Sequence, residues 1–208
     1  MIDITALEAT VRFHGHLCAE LAFGIRAAEI SRRRLGNRTV GPAVMAIVDN
    51  DRCSIDAIQF LTGATVGQGN LIARPYGKFV FTFVRRRDGK AIRLSLCPGA
   101  VVPPDPEWEA LAIRSRLRTF AKAEEERFAI LQRHRAERVL STPLHRLYDV
   151  TEVQVEVPSR PHASGRLADC DSCGEVTADA CLHSLHGRAL CSPCLDEVLE
   201  LESLLPRG

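Results

Sequence analysis

The chain has 208 residues, of which 46% are hydrophobic and 25% are charged, and its formal net charge at pH 7 is +1. This length suits one domain of moderate size with a small appendage, and the composition is that of a globular protein. A net charge near zero argues against nucleic acid or a membrane surface as an obligatory partner.

We expect a soluble, cytoplasmic protein. No apolar stretch approaches the roughly 20 residues that a membrane helix needs, and the first residues lack the pattern of a signal peptide. In the cytoplasm the eight cysteines are expected to be reduced, and their spacing indicates metal binding for at least four of them.

The first half of the chain has the pattern of a mixed domain of helices and strands. Apolar residues recur at helical spacing from Leu17 to Ala28, and Gly36 is the predicted end of this helix. A buried strand is predicted at 43–48. A second helix then begins with capping residues and runs to Gly63, before a glycine-rich loop at 65–71.

The second half begins with a predicted hairpin, in which strands 79–85 and 90–96 are joined by Asp88-Gly89. A long, charged helix is expected over 107–140, followed by a strand from residue 148. Because this helix carries Phe120 and Phe128 among many charges, we expect it to pack across a second protomer of a homodimer. A linker rich in proline, serine and glycine then separates a core domain, 1–160, from a tail, 161–208.

Two cysteine pairs in the tail have the spacing of a zinc site. Cys170 and Cys173 are followed, after 17 intervening residues, by Cys191 and Cys194. Zinc prefers four tetrahedral ligands, so a filled set of four thiolates predicts a structural ion with no position for substrate. The expected order of knuckle, hairpin and helix is that of a treble-clef finger. The alternative ligands within the tail are Cys181, His183 and His186.

A second group of metal-binding residue types lies near the N-terminus, in the segment FHGHLC at 13–18. If the helix begins near this segment, His14 and Cys18 share a face, whereas His16 requires the bent backbone that Gly15 permits. An imidazole beside a thiolate can bind a transition metal or serve as base and nucleophile. The alternative is an ordinary helix cap with a buried cysteine.

The segment DNDRC at 49–53, with Asp56 and Gln59, lies between the predicted strand and the second helix. Such a junction is a common place for active residues, and Cys53 is a second candidate ligand. Helix capping is the alternative; it explains Asp51 well but does not explain Cys53. Cys97, at the end of a strand, is expected to belong to the core.

Three segments together resemble the FmdE family, which is named for one of the subunits of formylmethanofuran dehydrogenase. They are FHGHLC with LAFGIRAAE, DNDRCSIDAIQFLTGATVGQGNL, and YGKFVFTFVRRRDGKAIRLSL. The resemblance implies an α+β core, a homodimer and a treble-clef appendage. It also implies a metal or reactive site formed by His14, His16, Cys18 and Cys53. The family is tied by name to a molybdenum or tungsten enzyme that reduces carbon dioxide onto methanofuran.

The sequence departs from the family pattern at four positions. Ala19 and Glu20 stand where relatives have proline and glycine, Ala64 stands for a cysteine, and Gln68 stands for a lysine. If the cysteine of relatives is a ligand or nucleophile, this chain has lost it, and Glu20 is a candidate replacement ligand.

Three functions follow as hypotheses. The first is a metal-binding scaffold, regulator or metal donor of a dehydrogenase system in methanogenesis, with other dehydrogenase subunits as partners. The second is an oxidoreductase that uses Cys18, Cys53 and His16 as catalytic groups. The third is an interaction or nucleic-acid-binding module that uses the zinc finger and the arginine runs. The expected cofactors are a structural Zn²⁺ and a second transition metal in the N-terminal domain.

Overall fold

The computed structural model of the chain describes residues 3–37, 39–101, 103, 105–155 and 165–203. The chain folds into two compact units, residues 1–157 and 158–208. The predicted domain boundary at 160/161 lies outside the described residues. Among the described helices, none is both long enough and apolar enough to cross a membrane.

The first unit is built on a mixed five-stranded sheet with the strand order β2-β1-β3-β4-β5. Its strands are β1 (Val44–Val48), β2 (Leu71–Ala73), β3 (Val80–Arg85), β4 (Ala91–Leu96) and β5 (Tyr148–Val153). Strands β1 and β2 are parallel, and the other neighbours are antiparallel. The predicted hairpin is confirmed as β3 and β4, whereas β2, which begins at Leu71 in the last position of the predicted glycine-rich loop, was missed.

Helices flank this sheet, which gives the α+β class that the family resemblance implies. They are α1 (Ile4–His14), α2 (Ala19–Leu35), α3 (Ser54–Thr62), α4 (Pro106–Arg116), α5 (Lys122–Ser141) and the short α6 (Leu144–Leu147). Buried residues of α2 and α5 form one hydrophobic core with β3 and β4, in which Phe81 and Phe83 are fully buried. The functional side chains described below lie at the ends of α1, α2 and α3.

His14 and Cys18 do not share a face of one helix, as they would if a helix included the HGH segment; that segment instead contains the bend that Gly15 permits. Helix α1 ends at His14, and Gly15 closes it in the left-handed conformation (φ 98°), with its N–H bonded to the Val11 carbonyl. Helix α2 begins only after Cys18, which is its N-cap residue. His14 and Cys18 therefore belong to different helices, and the bend at Gly15 brings them together.

The long helix predicted over 107–140 is two helices. Helix α4 ends at Arg116, Arg118 adopts a positive φ of 55°, and α5 begins at Lys122. The resulting helical hairpin places the Phe128 ring 6.1 Å from Trp108 and 5.5 Å from Phe120. The two phenylalanines thus contact aromatic rings of the same chain, which removes our reason for assigning them to an interface between protomers.

Helices α2 and α3 approach each other unusually closely, because Gly24 lies at their contact. A Cβ atom at Gly24 would lie 2.3 Å from the carbonyl oxygen of Ser54 and 2.9 Å from the Cβ of Ala57. Only glycine leaves room for this approach. The contact places the start of α3 beside the first turns of α2.

The second unit consists of two hairpins and a helix. They are β6 (Leu167–Asp169) with β7 (Val176–Ala178), β8 (Leu182–Leu185) with β9 (Arg188–Cys191), and α7 (Ser192–Ser203). His186 and Gly187, both at positive φ, form the predicted turn between β8 and β9. Among the described residues of this unit, those that are buried are Leu190 and three cysteines, so the apolar core that they form is small.

Candidate metal centres

The N-terminal cluster contains His14, Cys18 and Cys53, whose ligand atoms all lie within 4.8 Å of one another. The Cys18 Sγ is 4.0 Å from the His14 Nε2. Sulfur and nitrogen ligands of one tetrahedral zinc ion lie about 3.6 Å apart, given the usual metal–ligand distances. The His14 and Cys18 ligand atoms are therefore within a few tenths of an ångström of coordination geometry.

A buried asparagine positions Cys53. The Asn50 Oδ1 accepts hydrogen bonds from the Arg52 N–H (3.1 Å) and the Ser54 hydroxyl (3.0 Å). The Asn50 Nδ2 donates to the Lys78 carbonyl at 2.9 Å, which ties this turn to the chain that leads into β3. Asn50, rather than the exposed Asp51 that we expected, thus organises the start of α3.

Asp56, on the first turn of α3, orients the imidazole of His14. The His14 Nδ1 and the Asp56 Oδ2 are 2.7 Å apart. With a carboxylate at Nδ1, that nitrogen donates its proton and Nε2 presents a lone pair toward Cys18. A carboxylate behind the imidazole is the usual companion of a metal-bound histidine. The sequence placed Asp56 in the second cluster but did not indicate this role.

The two thiols of the cluster differ in acidity. A hydrogen bond from Cys53 is the largest cause that lowers the pKa of Cys18, and the N–H of Leu21, 3.3 Å from the sulfur, lowers it further against the effect of burial. The same hydrogen bond, together with burial, raises the pKa of Cys53. Cys18 is therefore the more acidic of the two thiols.

Four other positions that the sequence singled out lie outside this set of three. His16 is exposed and lies outside the set of three, although its ring centroid is 4.6 Å from that of His14. Glu20 accepts a hydrogen bond from Arg52 at 3.3 Å. Ala64 is fully buried in the core, so this position offers no ligand, and Cys97 is partly buried.

A cavity of about 460 Å³ opens beside the cluster, and Cys18, Cys53 and His16 line it. Helices α4 and α5 contribute further lining residues, among them Trp108 and Phe128. Neither the cavity nor the contribution of α4 and α5 was visible in the sequence, because both depend on the break between these helices. A volume of this size is typical of small-molecule sites.

The C-terminal cluster brings together Cys170, Cys173, Cys191 and Cys194, whose sulfur atoms all lie within 4.8 Å of one another. The Cys173 and Cys191 sulfurs are 3.9 Å apart, close to the separation of about 3.8 Å in a tetrahedral zinc–tetrathiolate site. The donor set and its geometry fit zinc.

Backbone amides stabilise the thiolate form of Cys170, which is the form that binds a cation. N–H groups of Cys173, Cys191 and Ser172, in decreasing order of effect, lower its pKa to about 6, so it is a thiolate at neutral pH. The alternative tail ligand His183 instead faces the Ser192 hydroxyl at 3.2 Å, and neither Cys181 nor His186 belongs to the set of four.

Comparisons with known proteins identify the family. The profile described as "FmdE, Molybdenum formylmethanofuran dehydrogenase operon" matches residues 13–149. A protein of Archaeoglobus fulgidus described as a probable S-adenosyl-L-methionine-binding protein is 39% identical over 87 residues, which are 39% of this chain and 24% of that protein. The chain thus spans about a quarter of that relative's length.

A solved structure shares the fold. It is described as a tungsten formylmethanofuran dehydrogenase subunit (FmdE)-like protein from Syntrophus aciditrophicus, with a TM-score of 0.56 and 18% identity over 92% of this chain and 90% of that one. At this identity the likeness shows the fold alone. The profile match, however, covers more than half of the sequence, and the chain therefore belongs to the FmdE family.

Proposed function

We propose that this chain is a metal-binding accessory protein of a molybdenum or tungsten formylmethanofuran dehydrogenase system. In this proposal His14, Cys18 and Cys53 hold a transition metal, and the four tail cysteines hold a structural zinc ion in a treble-clef finger. The observation that carries it is the convergence of the three N-terminal ligands beside a cavity in a member of the FmdE family.

The chemistry of the ligands favours a soft or borderline metal. Two sulfurs and one imidazole suit zinc or a similar thiophilic ion better than magnesium or calcium. Three protein ligands leave one coordination position, as in metal sites that keep a place for water or substrate. His16, whose ring lies beside that of His14, is the candidate fourth ligand, and as a ligand it would fill that position in place of water or substrate.

The proposed role is that of scaffold, regulator or metal donor to other subunits, in the cytoplasm and as a homodimer. The family description names the dehydrogenase operon, which supports partner subunits. The arginine runs at 32–34 and 85–87 give little support to a nucleic-acid-binding module, because Arg85 donates to Asp88 at 2.7 Å and Arg33 is paired with Glu29.

Metal content per chain tests the two sites separately. Protein purified without added metal is expected to contain about two ions per chain. Cys18→Ser should remove the N-terminal ion alone, Cys173→Ser should remove the tail ion alone, and the control Cys97→Ser should remove neither. A single ion that is lost only in the Cys173 variant would refute the N-terminal site.

Copurification tests the accessory role. Tagged protein, expressed in a host that encodes the dehydrogenase, is expected to retain at least one dehydrogenase component. Capture of none of these components, with both metals in place, would refute the accessory role and leave the metal sites standing.

A thiol-dependent oxidoreductase is the second candidate, and the proximity of the Cys18 and Cys53 sulfurs, which lie within 4.8 Å of each other, favours it. Thiol–disulfide exchange would convert this pair to a Cys18–Cys53 disulfide and reduce a substrate disulfide to two thiols, and His16 lies in the lining of the same cavity. Peptide mapping after mild oxidation should then detect a Cys18–Cys53 disulfide. Failure of this disulfide to form in metal-free protein would exclude the mechanism.

A further inference from the structure

The cavity beside the N-terminal cluster has a positively charged lining. Arg52, Arg116 and Arg135 line it, and Glu20 is the acidic residue of the lining. Glu20 is already bonded to Arg52. Arg116 has no hydrogen-bond or ion-pair partner within the described parts of the chain. The lining therefore has an excess of positive charge, part of which is not neutralised by the protein.

Arg135 is held in place and partly shielded from water. Its guanidinium carbon lies 4.3 Å from the centroid of the Trp108 ring, and its Nη1 donates to the Pro103 carbonyl at 3.1 Å. Burial lowers the pKa of Arg135, which reflects the cost of removing its charge from water. A bound anion would offset that cost, because arginine retains its charge at physiological pH.

The same cavity presents aromatic side chains. Trp108 and Phe128 are stacked at 6.1 Å, and Phe23 meets Phe79 edge-on at 5.6 Å. All four residues line the cavity. An inorganic anion would leave the ring surfaces that face the cavity in contact with water, whereas a flat ring would cover them and gain additional aromatic contact. A neutral ring, in turn, would leave the arginine charges without compensation.

We propose that this cavity binds a small organic anion that carries a flat aromatic ring. Its acidic group contacts Arg116 and Arg135, and its ring lies against Trp108 and Phe128. The inference deepens the proposed function by naming a ligand for the cavity beside the N-terminal metal. It rests on the proposed function only for the presence of that metal. The arginines and the rings alone supply the binding, so binding and metal content can be measured independently.

The test uses the only tryptophan of the chain, Trp108, as its reporter. The full-length, metal-loaded protein is titrated with anilinonaphthalene sulfonate and, separately, with phenylnaphthylamine, which has the same ring system without the charge. We expect one sulfonate dye per chain, with energy transfer from Trp108. It should bind at least about tenfold more tightly than the neutral dye, as expected for a charge-assisted contact.

Substitutions distinguish the cavity from general dye binding. Arg116→Gln changes an exposed side chain and should weaken sulfonate binding about tenfold without changing binding of the neutral dye. The matched control is Arg133→Gln on α5, an exposed arginine outside the cavity lining, which should have no effect. Circular dichroism confirms that each variant is folded before titration.

Equal binding of the two dyes, or unchanged sulfonate binding in Arg116→Gln, would overturn the inference. Metal content, measured on the same samples, separates this outcome from failure of the proposed function. Loss of dye selectivity with the N-terminal metal present refutes the ligand class only. If the protein lacks the N-terminal metal but still binds the sulfonate dye more tightly than the neutral dye, the metal proposal is refuted. The proposed anion site in the cavity is then retained.

Discussion

The substitution Gly24→Ala is expected to disturb the N-terminal cluster without changing any of its ligands. Gly24 lies within α2, and an added Cβ would come within 2.3 Å of the Ser54 carbonyl oxygen and 2.8 Å of the Ser54 Cα. These are backbone atoms of α3 that no side-chain rotation can move. Since Ser54 directly follows Cys53, a displacement of α3 also displaces that thiol.

The size of the effect follows from the overlap. Ordinary contact begins at about 3.4 Å, so the two helices must separate by about 1 Å. Overpacking of this kind costs about 1–3 kcal/mol or more, and alanine regains about 1 kcal/mol in helix propensity. Because the overlap is with backbone atoms, we take the upper end of that cost, which leaves a net loss of about 2 kcal/mol, or a decrease in Tm of about 4–8 °C. Metal affinity should fall about tenfold or more, as for misplaced ligands.

Thermal unfolding followed by circular dichroism measures the first effect, and competition with a chelator measures the second. Gly67→Ala is the matched control, because a Cβ at Gly67 meets nothing within 4 Å. Its Tm and metal affinity should equal those of the parent protein. A Gly24→Ala variant with parental Tm and parental affinity would refute the close packing of α2 on α3.

Three further predictions concern other parts of the chain. Tyr148→Phe removes the buried 2.8 Å bond from its hydroxyl to the Phe23 carbonyl and should lower the free energy of unfolding in urea by about 1–3 kcal/mol; no change would contradict the bond. The hydrogen bond from Arg85 lowers the pKa of Asp88 to about 2. The contribution of this ion pair to hairpin stability should therefore be complete above about pH 4 and disappear as the pH falls through about 2. An NMR titration of Asp88 checks this, and a midpoint that is not raised in Arg85→Gln would contradict it. Chelation of the tail metal should abolish the amide-exchange protection of residues 167–191, and retained protection would contradict a metal-dependent core.

Several elements could be predicted from short stretches of sequence. Asp88-Gly89 predicted the hairpin, and Gly36 and Gly63 predicted the ends of α2 and α3, because each signal acts within a few residues of the element it terminates. The spacing of the tail cysteines predicted four ligands, and the structure brings their sulfurs together. These features depend on local backbone conformation and on periodicity.

Other elements were missed or misread because their signals are weak or not local. Helix α1 was not predicted, and the break at Arg118 lies in a run of charged residues that fits one long helix. The partner of His14, Asp56, lies 42 residues away in the sequence. No periodicity connects two such positions, so their contact depends on how the helices pack.

By itself the sequence determined which residues are able to bind a metal: it supplied His14, Cys18 and Cys53 as candidates and, through its resemblance to the FmdE family, grouped them in one site. Only the tertiary structure decided how they meet. The turn at Gly15 joins α1 to α2, and the close contact at Gly24 brings α3 to both. The cavity likewise exists because α4 and α5 fold back on each other. Side-chain chemistry is encoded locally, whereas the distances between side chains are set by packing over the whole domain.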